Sequence, residues 1–163
     1  MDKIRLLFVC LGNICRSPAA HGIMQELVDR EGLSGRIFID SAGIGGWHIG
    51  ELPDPRMRSH AADRRYALMH RGRQFDAQSD FDHFDMILVM DEENYADIKH
   101  MAHNDKEMQK VHYLAEYLCH HPQENTIPDP YYGGADHFEY VLDLIEDACA
   151  GLLETLKKKN HLH

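Results

Sequence analysis

The chain has 163 residues, the size of one domain, and its 44% hydrophobic and 27% charged residues describe a globular protein rather than a disordered one. Its 17 Lys+Arg against 27 Asp+Glu give a formal charge of −10, a field that repels polyanions, so no nucleic acid and no anionic membrane is expected as a partner. Four cysteines are too few for a disulfide scaffold, and no apolar run approaches the roughly 20 residues of a membrane span. The expectation is a single domain over residues 1–163, monomeric, in a reducing cytoplasm.

Residues 4–10 have no polar member after Arg5 until Cys10 and predict a buried strand. Lys3 and Arg5 ahead of this apolar run faintly resemble a signal peptide, but the run is short, has no small-residue cleavage site and leads directly into a Gly-containing loop. Ser17-Pro18 then gives a helix-start signature, a serine cap followed by proline, and Ala20, Ile23, Met24, Leu27 and Val28 continue at helical spacing until Gly32. A second strand is expected over 36–42, closed by Gly43. The loop over 43–53 follows, and Asp54-Pro55 opens a helix to about Tyr66. Residues 85–90 predict a third strand, with Asp91, Glu92 and Glu93 supplying negative charge at the start of the next helix. Residues 111–114 are a weaker fourth strand. Phe138, Val141, Leu142, Ile145, Cys149, Leu152, Leu153 and Leu156 form the apolar stripe of a long last helix, ended by Lys157, Lys158 and Lys159. Strands alternating with helices imply an α/β fold with a parallel sheet covered on both faces. Ligands of such sheets bind beyond the carboxyl ends of the strands, and the first strand ends at Cys10.

The loop there reads Cys10-Leu11-Gly12-Asn13-Ile14-Cys15-Arg16-Ser17-Pro18. A loop wrapped onto a helix start turns backbone N–H groups inward and adds the positive end of the helix dipole, which is a cradle for a tetrahedral oxyanion. Arg16 brings a planar fork for two phosphate oxygens, and the positive field favours Cys10 as thiolate, a nucleophile for phosphoryl transfer. Gly12 permits close backbone approach and Asn13 tolerates a left-handed conformation. Neither the nucleotide-binding Gly-x4-Gly-Lys-Ser/Thr pattern nor the dinucleotide glycine pattern is present.

Cys10–Pro18 resembles the Cys-x5-Arg-Ser-Pro signature of the low-molecular-weight protein tyrosine phosphatases. The resemblance continues through Asp40-Ser41-Ala42-Gly43, Trp47-His48-Ile49-Gly50, Pro53-Asp54-Pro55-Arg56, His70-Arg71-Gly72-Arg73-Gln74, Met90-Asp91-Glu92 and Asp129-Pro130-Tyr131-Tyr132-Gly133. It implies a flavodoxin-like three-layer sandwich with a four-stranded parallel sheet in the order 2-1-3-4. It further implies hydrolysis of phosphotyrosine in proteins or peptides through a cysteinyl-phosphate, without cofactor or metal, with inorganic phosphate as product and inhibitor. Cys10, Arg16 and Asp129 are then the catalytic residues, with Asp129 as general acid. Leu11, Gly12, Asn13, Ile14, Cys15, Arg16 and Ser17 bind phosphate.

By the same resemblance Trp47 and Tyr131 wall a slot for the substrate ring, with Leu11 towards its floor and Tyr132 beside them. Asn13, Ser41 and His70 form a network that supports the loop. Ser17 has two jobs open to it, helix cap and hydrogen-bond partner of the Cys10 thiolate. Cys15, on the same curled loop, comes within disulfide reach of Cys10, under about 7 Å between Cα atoms, and is expected to trap its sulfenate on oxidation. Cys149 falls in the core stripe, and Cys119-His120-His121 lacks a second ligand cluster at finger-like spacing. Three other functions fit parts of the pattern. An arsenate reductase needs two further cysteines, which residues 90–103 lack; a phosphoarginine phosphatase of this family carries threonine where Leu11 stands; a phosphopeptide-binding module has no need of Asp129.

Overall fold

The computed structural model describes residues 3–162. Strand β1, Ile4–Cys10, is buried from Leu6 onward and pairs on both edges, with β2 (Ile37–Gly43) on one side and β3 (Met86–Val89) on the other. The weak fourth strand, β4 (Val111–Tyr113), pairs with β3, so four parallel strands lie in the order 2-1-3-4. Side chains alternate across a strand. Leu6, Phe8 and Cys10 therefore join the larger apolar cluster on one face, while Leu7 and Val9 join a second cluster on the other. That parity decides the chemistry, because it puts Cys10 on the face covered by α1 (Arg16–Arg30) and α6 (Ala135–Asn160).

Helix α1 ends as the glycine predicts. Gly32 takes φ 69°, its N–H donates to Asp29 O at 3.1 Å, and the Leu33 N–H donates to Val28 O at 2.9 Å, closing the last carbonyls of the helix. Helix α2 (Pro55–Asp63) begins at the expected aspartate, whose Oδ1 accepts from Arg56 N at 2.8 Å. The opposite face of the sheet is covered by the short α3 (Asp80–His83) and by α4 (Glu92–Met101), with Phe75, Phe81, Phe84 and Ile98 packed on Leu7 and Val9. Burying each such side chain stabilises the fold by about 1.5–3 kcal/mol. A further short helix, α5 (Asp105–Met108), and a 3-10 turn at Leu114–Tyr117 flank β4.

The structure corrects the start of α1. Cys15, not Ser17, occupies the cap position, and no side-chain hydrogen bond caps the helix; Ser17 and Pro18 lie inside the first turn. The first N–H groups therefore have no side-chain cap, the state in which a helix start can take an anion. Cys119-His120-His121 is also accounted for: Asp147 of α6 accepts from the Cys119 and His120 N–H groups at 3.0 and 2.9 Å and lies 2.8 Å from His121 Nδ1. Cys149 is fully buried. Among the described residues no helix is long and apolar enough to cross a membrane.

Candidate active site

Three outward hydrogen bonds shape the loop between β1 and α1. The carbonyls of Cys10, Leu11 and Ile14 accept from the N–H groups of Ile44, Gly45 and Asp54 at 2.9, 2.9 and 2.8 Å. In a trans peptide the carbonyl and the following N–H point in opposite directions. The N–H groups of Leu11, Gly12 and Cys15 are thus turned to the inside of the loop. Asn13 completes the curl at φ 58°, and its side chain holds that strained conformation from both ends: Nδ2 donates to Ser17 Oγ at 2.7 Å and Oδ1 accepts from Arg73 N at 3.0 Å. Gly43 makes the close fit possible. A Cβ there would sit 2.9 Å from Asn13 N and 2.9 Å from the Gly12 carbonyl carbon.

Cys10 lies at the bottom of this loop, 3% exposed, with Ser17 Oγ 3.0 Å from its Sγ. Arg16 closes the same space. Its Nη1 donates to Asp91 Oδ2 at 2.6 Å and to Ile127 O at 2.9 Å, and its Nη2 stands 3.6 Å from Asp129 Oδ2. Burial alone would lower the proton affinity of this guanidinium, but Cys10, Asp91 and Asp129 around it raise its pKa above the ordinary value, so it stays cationic. Asp129 is held by its own turn, Oδ1 accepting from Tyr131 N at 3.0 Å. Cys15, beside Cys10, has its thiol pushed far up by burial and by the negative Asp54, Cys10 and Asp129, against the lowering effect of Arg56, and remains protonated.

Cys10, Leu11, Gly12, Ile14, Cys15, Arg16, Trp47, His48, Asp129, Tyr131 and Tyr132 line one cleft of ≈ 330 Å³. Both Cys10, 3% exposed, and Leu11, 40% exposed, are part of that lining.

The family model of the low molecular weight phosphotyrosine protein phosphatases matches residues 5–162, nearly all of the sequence. This chain belongs to that family. It is 40% identical to a low molecular weight protein-tyrosine-phosphatase of Streptomyces coelicolor over 156 residues, covering 95% of this chain and 94% of the relative. A protein tyrosine phosphatase from Entamoeba histolytica superposes with a TM-score of 0.91 at 37% identity, covering 97% of this chain and 99% of that one. An arginine phosphatase of Drosophila superposes with a TM-score of 0.86 at 33% identity, covering 94% and 98%. The phosphatase is thus a hydrolase of phosphate monoesters on the sandwich fold that the Cys10–Pro18 resemblance implied.

The expected support network divides in two. Asn13 joins Ser17 and Arg73, whereas Ser41 accepts from His70 Nε2 at its carbonyl and lies 3.1 Å from His21 Nδ1 at its hydroxyl. Arg73 links the two groups, because its Nε donates to Asp40 Oδ2 at 3.0 Å. Four residues of the phosphatase site escaped the sequence reading. Asp91, which the sequence marks as a helix-start acid within the Met90-Asp91-Glu92 stretch, caps through Oδ1, which accepts from Asn94 N at 2.8 Å, and anchors Arg16 through Oδ2. Its place at the end of the strand next to β1 was the available signal. Arg56 pairs with both oxygens of Asp54 and lies over the Tyr131 ring at 5.2 Å, fixing that wall of the cleft. His48 and Arg73 complete the set, the first adjacent to Trp47 and the second within a motif already marked.

Proposed function

We propose that the phosphatase cleaves phosphotyrosine in two steps on Cys10, Arg16 and Asp129. The Cys10 thiolate attacks phosphorus, the phosphorus–oxygen ester bond breaks, and Asp129 gives its proton to the leaving phenol oxygen. Arg16 and the inward N–H groups of the loop hold the equatorial oxygens as charge spreads over them. Asp129, now a carboxylate, takes a proton from water as that water attacks phosphorus. The phosphorus–sulfur bond breaks, the thiolate returns to its hydrogen bond with Ser17, and inorganic phosphate leaves. Nucleophile, acid–base group and anion-holding donors are all supplied by side chains and loop N–H groups, so this reading assigns no step to a metal or a cofactor. Phosphate, as the final occupant of the cradle, also competes with substrate.

The observation that carries this reading is the convergence at the floor of the cleft: a nucleophile 3.0 Å from a supporting hydroxyl, beneath an arginine–aspartate pair 3.6 Å apart. A ring is favoured over a guanidinium because Trp47, Tyr131, Tyr132 and Leu11 offer aromatic and apolar surface, while the carboxylate in the cleft, Asp129, is engaged by Tyr131 N and faces Arg16. Turnover of phosphotyrosine, phosphoarginine and phosphoserine peptides, with rapid-quench trapping of a phosphoenzyme, tests both parts. The expected order of efficiency is phosphotyrosine, then phosphoarginine, then phosphoserine. A preference for phosphoarginine overturns the substrate assignment, and turnover without trapped phosphoenzyme overturns the mechanism. Four free cysteines, two of them in the site, support work in a reducing cytoplasm, and the reading takes the chain as a single-domain monomer. There Cys15 serves as the resolving thiol: oxidation of Cys10 to the sulfenic acid removes one of the negative charges that hold the Cys15 proton, and the two condense to a disulfide with loss of water. Cys15→Ser should recover poorly with reductant after peroxide treatment; recovery equal to wild type removes that role.

A further inference from the structure

Behind the cradle, α1, β2 and the segment around His70 bring together three side chains that the phosphatase cycle does not use. His21, Asp40 and His70 each offer one ligand-type atom, and these three atoms lie within 4.8 Å of one another. All three residues are half-buried. The donors come from a helix, a strand and a loop, so no spacing in the sequence marks them.

Ser41 decides which nitrogen of each ring is free. Its carbonyl lies 3.1 Å from His70 Nε2, and a carbonyl only accepts, so His70 carries a proton on Nε2. The neutral ring then presents a bare Nδ1 lone pair to Asp40 Oδ1 at 3.7 Å. Two lone-pair atoms face each other across that gap, an arrangement that a cation relieves. The Ser41 hydroxyl engages His21 Nδ1 at 3.1 Å and leaves His21 Nε2 free. Anchoring the outer nitrogen of each imidazole on a backbone carbonyl or polar group is how metal-ligating histidines are oriented. Asp40 is fixed as well, Oδ1 accepting from Ser41 N at 2.8 Å and Oδ2 from Arg73 Nε at 3.0 Å. Arg73 does not leave the cluster positive, because its other nitrogens pair with Asp80 at 3.0 and 3.1 Å.

We propose that His21, Asp40 and His70 form a site for a divalent transition ion of the zinc class, with solvent completing the coordination. Two imidazole nitrogens and one carboxylate oxygen suit zinc or cobalt, whereas magnesium and calcium take oxygen donors. Zinc bonds of about 2.0–2.1 Å set tetrahedral donors roughly 3.3 Å apart. The His70–Asp40 pair is close to that already, and the widest separation closes by about 1.5 Å through side-chain torsions. The ion does not touch the reacting atoms. It clamps α1, β2 and the segment carrying Arg73, whose N–H holds Asn13 in its left-handed conformation.

Titration of the reduced full chain with Co²⁺, followed by visible absorption, and with Zn²⁺, followed by calorimetry and melting temperature, tests the site. Wild type and Cys10→Ser should both bind one equivalent with a rise in melting temperature, since the thiolate is not a ligand. His21→Ala and Asp40→Asn should each weaken binding by at least the 10–100-fold that even an outer partner contributes. The metal-free melting temperature of each variant shows that it is folded, and His21→Gln repeats the test with a larger side chain. Binding that persists in His21→Ala and His21→Gln, binding lost in Cys10→Ser, or no binding to wild type would each overturn the assignment.

Discussion

The cradle and the rim of the cleft are built on opposite terms. In the cradle Asn13, Arg16 and Ser17 are 1%, 2% and 0% exposed, and each is fixed by directional hydrogen bonds. At the rim Trp47 is 68% and Tyr132 94% exposed, and what they offer is aromatic surface. Phosphoryl transfer depends on placing a few atoms to within a fraction of an ångström, which buried bonds that are costly to leave unmade can enforce. Ring recognition depends on area and tolerates looser placement.

Substitutions can break this contrast, and the largest effect belongs at the floor. Cys10→Ser should abolish turnover while phosphate still binds, measured by calorimetry beside steady-state rates; appreciable activity would take the nucleophile's role from Cys10. Asp129→Ala should cost roughly 10²–10⁴-fold. The loss should be greater for phenyl phosphate than for p-nitrophenyl phosphate, whose leaving group needs less protonation. Equal losses on the two would argue against proton donation. Ser17→Ala removes a hydrogen bond to a charged sulfur, a loss of about 1.5–3 kcal/mol or roughly 10- to 150-fold. It should fall on hydrolysis of the phosphoenzyme, visible as a burst followed by a slow steady state. The rim should respond least. Trp47→Ala gives up a ring contact of about 0.5–1.5 kcal/mol, a few-fold in kcat/KM for aryl substrates, with kcat for a small alkyl phosphate unchanged. Leu11→Thr should shift selectivity towards phosphoarginine by a similar factor. A rim variant that matched Asp129→Ala in severity would dissolve the distinction.

The sequence carried the four strands, the long helices and the loop because each has a periodicity or a local chemical signature. Gly32 and Asp54 end and begin helices by contacts within a few residues, which local reasoning can read. The short α3 and α5 hold four residues each, too few for a repeat to show. Of the two roles open to Ser17, the bond to Cys10 is present and the cap is not, for a physical reason: capping rules assume that a helix start has its N–H groups satisfied by a side chain, whereas this start has no side-chain cap. Asp91, Arg56 and Arg73 act across long stretches of chain, and only the fold brings them to the cradle. Division of the Asn13, Ser41 and His70 group into two likewise follows from packing, since His21 reaches Ser41 from a different element.

Gly43 is the ladder partner of Cys10, and the cradle rests on it with no room for even a methyl group. The position is therefore a bearing surface of the enzyme, although it has no side chain and joins in no chemical step. In a survey of all single substitutions, damage would not simply fade with distance from the reacting sulfur. Backbone support at Gly43 would be as intolerant as the catalytic groups, while the more exposed aromatic positions inside the cleft would accept many replacements. Freedom to change substrate and freedom to change the reaction are thus separated in this protein, and it is the first that remains open to drift.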